Sequence, residues 1–213
     1  VGDVKFTDLD GNGKIDYGEN TVDNPGDRTI IGNTEPRYQY SFTLIGDWNG
    51  IFLSAFFQGV GRQHWYPYQE TTFWGQYNRP YNSMPSWHLN NFWTEDNPNA
   101  YLPRYSTYNE TCGWGTKAND RYLQNVAYLR MKNLQIGYSL PQKWISKIKM
   151  QNARIYVTGE NLWSWSPLYK HTKNTVDVYT ATRGKDTDLN NDKNATNGDG
   201  NAYQLLKTIS MGV

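Results

Sequence analysis

Apolar and polar positions alternate along several stretches of this chain, and the alternating stretches come in pairs. Residues 37–45 place Tyr38, Tyr40, Phe42 and Leu44 on one face and Gln39, Ser41 and Thr43 on the other. This is the period-two pattern of a strand with two different surroundings. Residues 46–50 read as a turn, with Asn49-Gly50 a strong hairpin signal. Residues 51–60 return, with Ile51, Leu53, Ala55 and Phe57 opposed to Ser54 and Gln58, and with Phe52 and Phe56 blurring the polar face. Residues 121–140 form the longest candidate, able to span on the order of 60 Å at about 3.3 Å per residue. Within it Leu134, Ile136, Tyr138 and Leu140 alternate with Gln135, Gly137 and Ser139. Residues 153–162 and 203–213 complete the strand set, and 141–151 reads as a short connection with a helical turn around Trp144 and Ile148.

Two long stretches lack this period. Residues 61–120 are irregular and aromatic, and 166–202 are polar, ending in the Asn/Asp/Gly-rich tract 186–201. The order is therefore strand, short turn, strand, long loop, repeated, with a last strand. Short connections at one end and long loops at the other mark outer-membrane barrels, although one-sided soluble sheets alternate too. On a lipid face Arg130 and Lys132, in phase with Leu134, would be costly at mid-membrane, so the strand is expected to leave the bilayer by that point. Tyr38, Tyr40, Trp144 and Trp163 suit an interfacial belt or ordinary sheet packing.

Composition sharpens this picture. Of 213 residues, 37% are apolar but 15% are aromatic, with seventeen Tyr and nine Trp, the residues favoured where one end of a side chain is wet. A net charge of +1 supplies no footprint for nucleic acid. The single cysteine, Cys112, excludes an internal disulfide framework and a cysteine-based zinc site. No apolar run is long enough for a transmembrane helix. The chain begins without methionine and reads as a fragment or processed piece, so the lack of a signal peptide says nothing about export.

The clearest chemistry is DLDGNGKIDYGE, residues 8–19. It matches the twelve-residue calcium loop of EF-hands. Asp8, Asp10 and Asn12 offer oxygens at positions 1, 3 and 5, and Gly13 stands where the chain must turn. Lys14 offers a carbonyl, Asp16 a water-mediated contact, and Glu19 a two-oxygen ligand at position 12. Helices are not expected on either side: residues 4–7 read as a short strand and 20–28 as turn material. Structural Ca2+ is the expected cofactor, as a brace and not a helical switch; a solvated Asx turn is the alternative. The tract 186–192 alternates carboxylates and amides but lacks the glycine and the terminal Glu. Trp65, Tyr66, Tyr68, Trp74, Trp87 and Trp93 could stack on sugar rings or contact a partner protein, though packing among themselves is the commoner fate of such residues. His64, His88 and His171 lack metal spacing and no nucleophile elbow occurs, so no enzyme is expected.

Several segments then become familiar. GDVKFTDLDGNGKI at 2–15, RTIIG at 28–32 with Pro36, FFQG at 56–59, WTE at 93–95 with NPNA at 97–100, Pro103-Arg104, YLRMKNLQIGYSLP at 128–141 and RIYVTGENL at 154–162 resemble the C-terminal part of SusC/RagA-type TonB-dependent outer-membrane receptors, in family order. The resemblance implies an all-β fold: the C-terminal segment of a large antiparallel transmembrane β-barrel of 22 strands around an N-terminal plug. Residues 1–213 would supply its last five or six strands, with 61–120 and 166–202 as long extracellular loops. It also implies the partners: the rest of the barrel and plug, the lipid bilayer, a SusD-like surface lipoprotein, the TonB complex acting through the missing N-terminal part, and an oligosaccharide or peptide ligand. The location would be the outer membrane of a Gram-negative bacterium. The plug, most of the barrel and the energy-coupling segment are absent here, and members usually run on to a terminal aromatic beyond Val213. The rival from another class is a secreted calcium-dependent carbohydrate-binding β-sandwich.

Overall fold

The computed structural model describes residues 2–67, 71, 73–77, 83–105, 118–173, 175–182 and 204–213. The chain divides into two compact units, Val1–Asn33 with Tyr66–Leu123 and Thr34–Trp65 with Gln124–Val213.

The second unit is built on one antiparallel sheet. Its strands are β1 (Arg37–Trp48), β2 (Ile51–Arg62), β5 (Tyr128–Ser139), β6 (Arg154–Trp165) and β7 (Thr208–Gly212), in the order β1-β2-β5-β6-β7. A separate two-residue pair joins β3 (His64–Trp65) to β4 (Gln124–Asn125). Four of the sheet strands are 12 residues long. That is about 40 Å of chain, or about 28 Å of height if tilted about 45°. Among the described residues no helix is long and apolar enough to cross a membrane.

Register sorts the side chains, because residues directly opposite one another in an antiparallel pair share a face. Phe42 faces Phe57, Leu44 faces Ala55 and Trp48 faces Ile51. Leu53 faces Ile136, which faces Val157, which faces Met211. One face is thus apolar across all five strands, and Leu44, Ile136, Val157 and Met211 stand exposed on it. The other carries Ser41, Thr43, Ser54, Gln58, Gln135, Thr158, Glu160 and Ser210, interrupted by Ile45, Phe52 and Phe56.

Two expectations about strands are corrected here. The long strand over 121–140 is 12 residues, not twenty. Gln124 and Asn125 pair with Trp65 and His64 instead, and Asn125 Oδ1 accepts the Ala127 N–H at 3.0 Å, which stops the strand pattern. Nor does Arg130 share the face of Leu134. Phe56 pairs with Asn133 and Phe57 with Met131, so Lys132 is an extra, bulged residue. A bulge shifts the phase by one. Leu129 and Met131 therefore continue the apolar face, and Arg130 turns to the polar one opposite Gln58 and Ser164. The charge that appeared to end the apolar layer does not lie on it.

The connections differ in kind. The β1–β2 turn is only Asn49-Gly50; residues 46–48 belong to β1. The φ values there are 55° and 85°, a double left-handed turn whose twist matches the strands it joins. Residues 140–153 join β5 to β6 through α1 (Gln142–Ile145) and a 3-10 turn, Ser146–Ile148. The connections from β2 to β5 and from β6 to β7 are long, and both leave from the opposite end. The last strand is shorter than the stretch 203–213. Tyr40 and Trp163 are exposed on the apolar face, and Tyr38 and Trp144 are exposed as well.

Among its described residues the first unit has no sheet. Residues 2–33 carry neither helix nor strand, so the expected strand over 4–7 does not form and no helices flank the calcium-type loop. Two 3-10 turns, Gly75–Tyr77 and Ser86–His88, and an isolated bridge between Phe92 and Leu102 frame the rest. The tract 186–192 and Tyr68 lie outside the described residues.

Candidate functional site

The calcium-type loop curls on its own carboxylates. Asp8 accepts the N–H of Gly11 at 2.6 Å and of Gly13 at 2.8 Å. These backbone donors, Gly13 first, hold its carboxyl below the usual carboxylate range against the opposing effect of desolvation. Asp10 accepts from the Asn12 backbone and side chain, each at 3.0 Å. Asn12 Oδ1 accepts the Lys14 N–H at 2.8 Å, and Asp16 Oδ1 accepts the Gly18 N–H at 2.8 Å. These are Asx turns, the local alternative that short polar side chains offer the backbone.

The acid of loop position 12 is where counting along the chain and the structure part. Carboxylate oxygens of Asp8, Asp10 and Asp27 lie within 4.8 Å of one another, and Glu19 and Asp16 are not in that group. Asp27 arrives because residues 18–26 pinch shut at their base. A Cβ on Gly26 would stand 2.4 Å from the Gly18 nitrogen, so both positions need glycine for the close approach. Asp27 then takes the Leu9 N–H at 2.6 Å and the Asp16 N–H at 2.8 Å on its two oxygens, while its own N–H reaches the Asp16 carbonyl. The segment keeps the first acids of the calcium-loop spacing and brings in its last acid after an inserted excursion. The glycines bracketing an Asn/Asp/Pro-rich run were the available signal. All three acids are hard oxygen donors, which fits Ca2+ and gives a soft metal no ligand.

The aromatic candidates separate by burial. Trp65, Tyr66, Trp74 and Trp87 are 1%, 3%, 0% and 2% exposed, which puts them out of reach of a sugar ring. Instead, most of them build a core. In the loop unit Trp74 packs edge-on to Phe73 at 4.8 Å and to Tyr122 at 5.0 Å and donates its indole N–H to the Pro67 carbonyl at 2.6 Å. Trp87 packs on Phe73 and His88, and Tyr77 stacks on Tyr105 at 4.0 Å. Such offset and edge contacts are how large aromatic surfaces pack.

His88 belongs to this core too. Its Nε2 lies 2.8 Å from the Phe73 carbonyl, which can only accept, so Nε2 carries the proton and Nδ1 accepts from the Tyr105 hydroxyl at 2.9 Å. Burial pushes its pKa down to about 4, and the ring is neutral near pH 7. Burial likewise pushes Tyr105 and Tyr122 up to about 12. These shifts come from desolvation in a packed core.

Trp93 is the exception. It is half-buried and borders a cavity of about 810 Å³ in the loop unit, with Lys5, Asp27, Arg28, Asn119 and Arg121 also in its wall. Arg121 is engaged there, donating to the Ala100 carbonyl at 2.8 Å and to the Tyr101 carbonyl at 3.0 Å.

No protein-family model matches the chain. It is 28% identical over 216 aligned residues to TonB-dependent receptor P3 of Formosa agariphila, covering 98% of this chain and 18% of that receptor. It is 25% identical over 175 residues to TonB-dependent receptor P26 of the same organism, covering 78% of this chain and 15% of that one. The chain is a distant homologue of TonB-dependent receptors. Solved structures of the RagAB peptide importer in its closed-closed state and of the RagAB peptide transporter overlay with TM-scores of 0.46 and 0.45. The identities are 22% and 24%, over 73% and 64% of this chain and 17% and 14% of those chains. The receptor homologue thus spans less than a fifth of the curated relatives it matches. Those relatives are receptors and not enzymes.

Proposed function

We propose that this chain forms part of the wall and outer loops of a TonB-dependent importer in the outer membrane of a Gram-negative bacterium. The carrying observation is the sheet itself, apolar across one face of all five strands and largely polar on the other, with both short connections at one end. That is the division between lipid and lumen that a barrel wall requires. Strands β1 and β7 are the edges of the sheet. An open edge is not stable in lipid, so the remaining strands of a 22-stranded barrel complete it. The short connections then face the periplasm, and the loops over 61–120 and 166–202 face outward. The whole receptor takes up oligosaccharide or peptide fragments under a SusD-like lipoprotein lid, driven by TonB acting through other segments. Trp93, beside its cavity, is the described aromatic candidate left available for ligand or lid contact.

Expression separates this reading from a secreted β-sandwich. Residues 1–213 alone should be insoluble without detergent, and the full-length receptor should fractionate with the outer membrane. A soluble, monomeric 1–213 that unfolds cooperatively would overturn it.

Ca2+ serves in this reading as a brace on residues 8–27. Asp8→Ala and Asp27→Ala in the full-length receptor should each weaken Ca2+ binding roughly ten-fold or more, since affinity follows ligand charge, and Glu19→Ala should not. A chelator should raise proteolysis within 2–33 and leave the barrel intact. Titration calorimetry and protease mapping read both, and equal loss in Glu19→Ala and Asp27→Ala would return the ligand to position 19.

A further inference from the structure

The described first part of the connection after β6, residues 166–182 apart from 174, does not project away from the sheet. It turns back through α2 (Tyr169–Thr172) and α3 (Val178–Thr182) and buries its own apolar side chains. Leu168, Val176, Val178 and Ala181 are 1% exposed or less. Two polar contacts show which face of the sheet it covers. Arg130 Nη2 donates to both carboxylate oxygens of Asp177, at 2.8 and 3.0 Å, and Ser164 Oγ lies 3.4 Å from the Tyr169 hydroxyl. Arg130 and Ser164 are register partners, and the bulge at Lys132 has placed Arg130 on the polar face. The segment therefore lies over the polar face, at the end from which the long connections leave.

Asp177 has a second task. Its Oδ1 accepts the Tyr179 N–H at 2.7 Å, and its carbonyl accepts from Ala181 N–H and Thr180 Oγ1 at 3.0 and 2.9 Å. It caps the turn of α3 with the same carboxylate that holds Arg130. The guanidinium, 4% exposed, thereby fixes both the fold of this segment and its position on the strand. A buried pair adds little stability over apolar packing but punishes misplacement, because either charge left alone is costly.

We infer that the described residues of 166–182 form a shelf inside the mouth of the lumen, and that Arg130 and Asp177 are the positioning residues that hold it there and limit the size of what passes. A single layer of helical turns is about 10 Å thick, enough to narrow the opening on this side. The inference rests on the polar face being the lumen.

The test uses the full-length receptor in lipid nanodiscs, with Cys112→Ser and every other native cysteine of that receptor replaced likewise. Lys170→Cys, an exposed shelf position, is treated with a small maleimide and with one carrying a long polyethylene glycol chain. Val22→Cys is the freely exposed control. Lys170→Cys should react with the small reagent but several-fold more slowly with the polymer, relative to Val22→Cys. Equal relative rates, or no reaction with either reagent, overturn the shelf. Asp177→Asn keeps the cap but strands the Arg130 charge. It should speed amide exchange across Val178–Thr182 roughly a hundred-fold and open Lys170→Cys to the polymer. Arg130→Met with Asp177→Asn, which carries no stranded charge, should restore most of the exchange protection. Unchanged exchange in Asp177→Asn overturns the positioning role. Leu134→Cys and Gln135→Cys keep the two readings apart. If water-soluble maleimide favours Leu134→Cys, the barrel reading and the shelf fall together, whereas a failure at Lys170 with Gln135→Cys favoured removes only the shelf.

Discussion

Leu134→Arg should prevent assembly of the full-length receptor in the outer membrane, while Gln135→Arg, one residue on, should be tolerated. Leu134 stands opposite Ala55 and Gly159 in the middle of the apolar face. In the proposed barrel wall this position falls near the bilayer midplane, where an arginine costs roughly 2–4 kcal/mol, comparable to a good part of a domain's net stability. Gln135 pairs with Ser54 and Thr158 on the other face, where a charge meets water. Heat-modifiable receptor in the outer-membrane fraction reads assembly, and urea unfolding from lipid vesicles reads the energy. Equal tolerance of both substitutions would contradict the assignment of faces, as would equal loss.

Trp74→Ala should unfold the loop unit and leave the sheet standing. The side chain is fully buried, its ring touches Phe73 and Tyr122, and its N–H serves the Pro67 carbonyl. Truncating a buried tryptophan costs roughly 3–5 kcal/mol, and leaving that carbonyl without its donor adds about 1 kcal/mol more. Amide exchange should rise across the loop unit, with the β5–β6 amides still protected. Trp93→Ala, half-buried at the cavity, should cost little stability and act instead on ligand or lid binding. If Trp74→Ala abolished ligand binding with the loops still protected, the aromatic platform would be the better description.

Much of the sheet was legible in the sequence because period-two patterning is local. The Tyr40–Phe42–Leu44 and Leu134–Ile136–Tyr138 runs and the Asn49-Gly50 turn all lie where the pattern puts them. The phase of Arg130 was not legible. One bulged residue, Lys132, inverts every side chain before it, and a bulge is visible only as a mismatch with the partner strand. The same limit governed the acids. Asp8 and Asp10 follow from loop spacing, but Asp27 reaches them only because Gly18 and Gly26 close an excursion. The loop tryptophans carried no periodicity, so nothing local distinguished a stacking platform from a core. Asp177 was invisible as a partner of Arg130 for a related reason, since 47 residues separate them.

The most direct test of the barrel wall is spin labelling along β5 of the full-length receptor in lipid, comparing collisions with oxygen against collisions with a water-soluble nickel chelate. Labels at Leu129, Met131, Leu134 and Ile136 should favour oxygen, and labels at Asn133 and Gln135 should favour the chelate, with the phase broken once, at Lys132. An alternation that runs unbroken through Lys132 would contradict the bulge, and the absence of any alternation would contradict the wall itself.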